Sequence, residues 1–193
     1  MGYVILGVGA AGITAAKTIR KADKETEITM ISTDEQVHSR CMLHKYLSHE
    51  RTAEELNFVP EDFFEANHIN WIKGKTVSGL DTAEKKVKLT DGGEVSYDKL
   101  LIATGAESFI PPVGNLREAG NVFGLRHLRD AAAIDKMAEN ADKIVIIGSG
   151  LVGLDAAYGL MEIGKKVSIV EMADQILPIQ LDKTGALEYQ KRF

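Results

Sequence analysis

Apolar residues cluster along the chain in short runs that end at glycine turns, and the period changes twice. Tyr3-Val4-Ile5-Leu6 runs straight into Gly7-Val8-Gly9-Ala10-Ala11-Gly12. Beyond that turn Ile13, Ala16 and Ile19 or Ala15 fall on one stripe, which predicts a helix with a buried face. Glu27–Ser32 then reads as a second parallel strand, so the chain opens with a βαβ unit. From about Trp71 to Tyr97 the period becomes that of strands. Trp71-Ile72 and Thr76–Leu80 are short strands, and Lys86–Leu89 and Glu94–Tyr97 flank Asp91-Gly92-Gly93, a hairpin signal. This zone predicts a small antiparallel meander inserted into an α/β domain. Lys99–Gly105 is a buried strand ending at a threonine-glycine turn, and Pro111-Pro112 marks a domain exit.

The third zone predicts a helix near Ala131–Asn140 capped by Asp130. Lys143–Ile147, the turn Gly148-Ser149-Gly150-Leu151-Val152-Gly153, another helix and Val167–Glu171 follow. This second βαβ unit repeats the first. About 20 residues follow Glu171, too few for the six strands of a dinucleotide domain. The expected organisation is therefore a first domain over 1–110, a linker and connecting helix over 111–141, and the start of a second domain over 142–193.

Each glycine of such a turn has a task. The first makes the turn, the second lets backbone approach a pyrophosphate, and the third lets helix and strand pack closely. The anion then meets unpaired N–H groups at the helix N-terminus. Each copy also carries alanine four residues past its last glycine, Ala16 and Ala157, where a small side chain permits close packing. The units differ at the end of the second strand, where Glu171 stands opposite Ser32. Glu171 is a good acceptor for two ribose hydroxyls, and its charge repels a 2′-phosphate, which favours NADH over NADPH. In the first unit Ser32, Thr33 and Asp34 remain alternative ribose contacts.

Composition narrows the class. The 193 residues are 45% hydrophobic and carry 23 basic against 28 acidic side chains, a net charge of -5. That balance argues against nucleic acid or a membrane surface as partner. One cysteine, Cys41, excludes an intrachain disulfide and a cysteine-based zinc cage. With no long apolar run and no segment that reads as a leader, a cytoplasmic location is expected. The five histidines, His38, His44, His49, His68 and His127, lack metal-ligand spacing, so no metal site is expected.

Two glycine motifs separated by a meander and an Ala-Thr-Gly strand end resemble the FAD-dependent pyridine nucleotide-disulfide oxidoreductases. The branch of NADH oxidases, rubredoxin reductases and nitrite reductase flavin domains is the more similar, and the resemblance covers the whole chain. It implies an α/β flavoprotein fold of two dinucleotide-binding domains, a parallel sheet with an inserted meander, stopping partway through the NAD domain. By the same resemblance Gly7, Gly9, Ala10, Ala11 and Gly12 hold the ADP part of FAD. Gly148, Gly150, Leu151, Val152 and Gly153 hold NADH. Ala103-Thr104-Gly105 lies against FAD, Val77 gives a backbone contact to its adenine, and Leu125-Arg126 lies near the flavin.

Ser39-Arg40-Cys41-Met42-Leu43-His44-Lys45 is similar to two patterns at once. Arg40 and Lys45 match rubredoxin and ferredoxin reductases, whose lysine lies by the flavin ring. Cys41 matches the register of the redox cysteine of NADH oxidases and peroxidases. Cys41 is then either a redox centre, its thiolate favoured by Arg40 and Lys45, or a small packing residue. Asp155 stands where the family has glutamate, and it is expected to approach Lys45 at the flavin. The resemblance implies hydride transfer from NADH to FAD and electrons passed to a small redox protein, oxygen, peroxide or a disulfide. The remaining partners implied are a second copy or a C-terminal part, and this length of chain is expected to be inactive alone. The rival reading is a nucleotide-binding module without turnover.

Overall fold

A computed structural model describes residues 2–191. The chain forms two compact units, Met1–Ser39 with Asn57–Glu107, and Arg40–Leu56 with Ser108–Phe193.

In the first unit β1 (Tyr3–Leu6), β2 (Ile28–Ile31), β3 (Ile69–Ile72) and β7 (Lys99–Ile102) form a parallel sheet in the order β3-β2-β1-β7. A parallel sheet is covered on both faces at its centre, which explains why β1 and β2 read as continuous apolar runs; β7 departs from the buried strand expected there, with Leu101 and Ile102 exposed. Successive side chains alternate faces. Ile5, Ile28 and Met30 therefore pack with Ile13 and Ala16 of α1 (Ala10–Ala22) and with Phe63 of the short α3 (Phe63–Ala66). Val4, Leu6 and Ile31 pack instead with Val87, Leu89 and Tyr97. Those partners belong to the antiparallel meander β4 (Val77–Asp81), β5 (Lys86–Leu89) and β6 (Glu94–Ser96), ordered β4-β5-β6. The meander thus caps one sheet face.

Trp71-Ile72 departs from expectation. It is part of β3, the outer strand of the parallel sheet, rather than of the meander. Tertiary anchors decide this. Buried Arg20 at the end of α1 donates to the carbonyls of Asn67 and His68, 2.7 and 3.2 Å away, and so fixes where β3 begins. Trp71 stacks on Phe64 with ring centroids 4.4 Å apart.

In the second unit α2 (Leu43–Leu47), preceded by a 3₁₀ turn at Arg40–Met42, packs with α4 (Leu128–Ala138) and α5 (Leu151–Glu162). Leu43, Leu47, Leu56 and Ala131 form the buried centre. Residues 40–56 thus make their contacts with the later chain, a grouping that boundaries drawn linearly along the sequence did not contain. Gly159 permits the close crossing, because a Cβ there would lie 2.5 Å from the His44 carbonyl oxygen. Strands β8 (Lys143–Ile147) and β9 (Lys166–Val170) pair in parallel, and α6 (Lys183–Gln190) follows, capped by Asp182. Ile144, Ile146, Val167 and Ile169 are half-buried, whereas Val145, Ile147 and Val170 on the alternate positions are exposed. α4 begins earlier than expected. Asp130 sits one turn inside, where its carboxylate accepts the N–H groups of Arg126 and His127, so it caps by reaching back.

Candidate nucleotide sites

Both glycine turns take the conformation their sequence demands. Gly7 and Gly148 have φ of 105° and 101°, a region that side chains other than glycine rarely adopt. A Cβ at Gly12 would run into the Gly7 carbonyl, and one at Gly153 into the Gly148 carbonyl, so the third glycines serve packing within each unit. Gly150 is different. Its φ of -72° suits any residue, and no atom lies within 4 Å of where a Cβ would stand. Neither conformation nor packing among the described residues explains glycine there. The helices that follow, α1 and α5, begin at Gly9 and Gly150 with no side-chain cap. Their first N–H groups are left for an anion, and the positive end of each helix dipole favours one.

The ends of the second strands show why the two sites differ. Glu171 follows β9, and among the described residues its carboxylate accepts four hydrogen bonds. Ser149 N–H and Ser149 Oγ donate to Oε2, each at 2.8 Å. Met172 N–H and Ala173 N–H donate to Oε1 at 2.7 and 2.9 Å. These donors, with the Ala173 N–H foremost and those of Ser149 next, hold the carboxyl at about 2, well below its usual 4.5, against opposing desolvation. Glu171 is therefore a fixed anion beside the second turn.

Ser32 holds the matching place in the first unit and is buried. Its hydroxyl donates to the Asp34 carbonyl at 2.8 Å and accepts from Trp71 Nε1 at 3.0 Å. It works as a latch between the ends of β2 and β3. Thr33 is exposed and Asp34 half-buried beside it. Ala103 stands next to the Gly7 turn, its N–H on the Leu6 carbonyl at 2.8 Å, and Thr104 and Gly105 are exposed beyond it. Val77 is half-buried at the start of β4.

The Arg40–Lys45 segment lies in the second unit. Cys41 is exposed. An Arg40 Nη stands 3.4 Å from His127 Nδ1, and Arg126 is half-buried next in the chain. The expected approach of Lys45 to Asp155 is replaced by other pairs. Lys45 Nζ donates to both Glu50 oxygens at 2.8 Å and lies 5.4 Å from the Tyr158 ring centroid. The Glu50 hydrogen bond raises the Lys45 pKa, and the same bond lowers that of Glu50. Asp155 faces His44 Nδ1 at 3.9 Å instead. Its side chain is one methylene shorter than the glutamate of the family pattern, and Glu50 sits in the turn directly after α2.

Ser149 and Glu50 are the two contacts that sequence reasoning missed. Ser149 was within reach of it, since it occupies the variable place inside the second turn. Nothing local marked Glu50, five residues past Lys45 in a polar turn.

Over residues 1–193 the chain matches the family described as pyridine nucleotide-disulphide oxidoreductase. It is 36% identical to an NADH oxidase of Methanocaldococcus jannaschii, covering 99% of this chain and 44% of that protein. It is also 36% identical to a rubredoxin-NAD(+) reductase of Alcanivorax borkumensis, covering 95% of this chain and 48% of that one. Among solved structures, an NAD-dependent persulfide reductase from A. fulgidus superposes with a TM-score of 0.91 at 32% identity, over all of this chain and 38% of that one. The reductase in a putidaredoxin reductase–putidaredoxin complex gives 0.88 at 28% identity, over 99% and 47%. The chain thus spans less than half the length of these relatives. It belongs to the pyridine nucleotide-disulphide oxidoreductase family.

Proposed function

We propose that this chain supplies the FAD and NADH sites of a flavoprotein that takes hydride from NADH and passes electrons to an acceptor. The observation that carries the reading is the pairing of two uncapped glycine-turn helices with different strand ends: an anchored carboxylate at Glu171 and a latched hydroxyl at Ser32.

The first unit is read as the FAD side. Gly7, Gly9, Ala10, Ala11 and Gly12 present backbone to the pyrophosphate, and Ala103, Thr104 and Gly105 lie along its path. With the Ser32 hydroxyl committed to Trp71 and Asp34, the ribose contact falls to Thr33 or Asp34. Val77 offers backbone to the adenine. The second unit is read as the NADH side, with the pyrophosphate on Gly148, Gly150, Leu151, Val152 and Gly153. Glu171 accepts from the adenosine ribose and rejects a 2′-phosphate by charge. Bound FAD supplies a ring that accepts hydride and releases electrons to one- or two-electron acceptors.

Lys45 and Asp155 are read as groups at the flavin, with Arg40 and Arg126 adding positive charge near it. Held by Glu50, Lys45 stays an ammonium that can stabilise negative charge on a neighbouring ring. Cys41, exposed and next to Arg40 in the chain, is read either as the redox centre or as a packing substitution. Rubredoxin and putidaredoxin in the relatives' names support a small redox protein as acceptor. Oxygen, peroxide or a disulfide are the acceptors if Cys41 reacts. The absorbance of the whole FAD-loaded flavoprotein to which this chain contributes its sites tests the reading without oxygen. Bleaching of the flavin band by NADH, with NADPH much slower, is expected. A flavin band that NADH leaves unchanged would favour a nucleotide-binding module without turnover.

A further inference from the structure

We infer that the Ser149 hydroxyl is an internal stand-in for a ribose hydroxyl, and that it limits nucleotide affinity by occupying Glu171 until it turns away. The inference rests on the reading of Glu171 as the ribose acceptor. A carboxylate offers about four lone-pair positions, and all four on Glu171 are filled from within the chain. A vicinal diol brings two more donors, so resident donors must leave.

The four are not equally free to go. Ser149 N–H is fixed by the turn, and the Ser149 carbonyl is itself held by the Leu177 N–H at 3.1 Å. Leu177 is buried and closes the loop after β9 against that turn. Met172 and Ala173 can withdraw their N–H groups only if the backbone after β9 moves. Ser149 Oγ leaves by rotation about a single side-chain bond. It also sits on Oε2, beside the turn to which a pyrophosphate would bring the ribose. The hydroxyl is an O–H donor to Glu171 Oε2 at 2.8 Å, the same kind of donor that a ribose would bring. It keeps the anion solvated in the free protein and competes with the ligand for it. Ser149 is in this account a specificity-determining residue, because it penalises any ligand whose donors cannot displace it.

Equilibrium titration with ADP-ribose, followed by ligand-observed NMR so that weak binding is measured, tests this without flavin or turnover. Ser149→Ala is expected to bind ADP-ribose several-fold to about tenfold tighter, the net scale of one ordinary intramolecular hydrogen bond. Ser149→Gly, which also lacks the hydroxyl, should shift in the same direction. In a Glu171→Ala background the effect of Ser149→Ala should vanish. Unchanged or weaker binding by Ser149→Ala, while Glu171→Ala alone weakens binding, would overturn the stand-in and leave the ribose reading intact. Equal binding by Glu171→Ala and the unaltered protein would remove the ribose reading itself and the stand-in with it. Absence of ADP-ribose binding by both the unaltered protein and Ser149→Ala would overturn the stand-in as well.

Discussion

Gly159→Ala pits two familiar effects against each other inside the second unit. In a solvent-facing helix the change stabilises by about 1 kcal/mol, because alanine loses less backbone entropy than glycine. Here the new Cβ would lie 2.5 Å from the His44 carbonyl oxygen and 3.2 Å from the Leu47 Cβ. Ordinary contact begins near 3.4 Å, so α2 must withdraw by about 0.9 Å. A gap of that size forfeits about a quarter to a half of each dispersion contact across it. Leu43 and Leu47 are 2% and 0% exposed, so the loss falls on fully buried side chains of that core. Overpacking costs about 1–3 kcal/mol, which outweighs or cancels the helix gain and leaves a net loss of up to about 2 kcal/mol. Urea unfolding followed by far-ultraviolet circular dichroism reads the total, and hydrogen exchange at Ser48 and His49 N–H reads α2 locally. Met161→Ala, on an exposed part of the same helix, serves as reference and should shift stability by less than about 1 kcal/mol. A raised midpoint in Gly159→Ala, with slowed exchange in α2, would show that the crossing is not as close as described.

Three further outcomes follow from the same geometry. Glu171 should titrate near 2 rather than 4.5 by carboxyl-carbon NMR; its folded pKa is depressed, so its stabilising effect is complete above pH 4.5 and is lost as pH falls from there towards 2. A Glu171 titration near 4.5 would refute the four-donor anchor. Ser32→Ala should cost about 1–2 kcal/mol by leaving Trp71 Nε1 without its acceptor, and should change the emission of Trp71, the chain's one tryptophan; unaltered emission and stability would mean that the latch is idle. Glu50→Gln should lower the Lys45 ammonium pKa, visible in the Nζ-bound proton and nitrogen shifts, and an unmoved value would show that another group holds Lys45.

Much of the architecture was legible because it is written locally. Gly7 and Gly148 adopt the positive φ that their motifs require, and the runs around Val4 to Leu6 and Ile28 to Ile31 are the doubly covered strands of a parallel sheet. Asp91-Gly92-Gly93 does turn a hairpin, with Gly92 at φ 87°. What escaped is non-local. Trp71 follows a strand-like pattern that suits either sheet, and tertiary partners such as Arg20 and Ser32, far back in the chain, fix which one it joins. Residues 40–56 lie between two stretches of the first unit, yet their apolar positions Leu43 and Leu47 find partners on α4 and α5, about a hundred residues later. Lys45 was placed by similarity to a pattern, but its ion pair is set by which carboxylate reaches it. Glu50 reaches it in the turn after α2, and the shortened Asp155 lies with His44.

Hydrogen–deuterium exchange footprinting tests the assignment of the two sites most directly, because it locates each cofactor without requiring turnover. FAD should slow exchange in residues 7–13 and around 103–105 and leave 148–154 unchanged. NADH should slow exchange in 148–154 and at 171–173 and leave the first turn unchanged. Protection of the first turn by NADH, or protection of the second turn by FAD alone, would contradict the account.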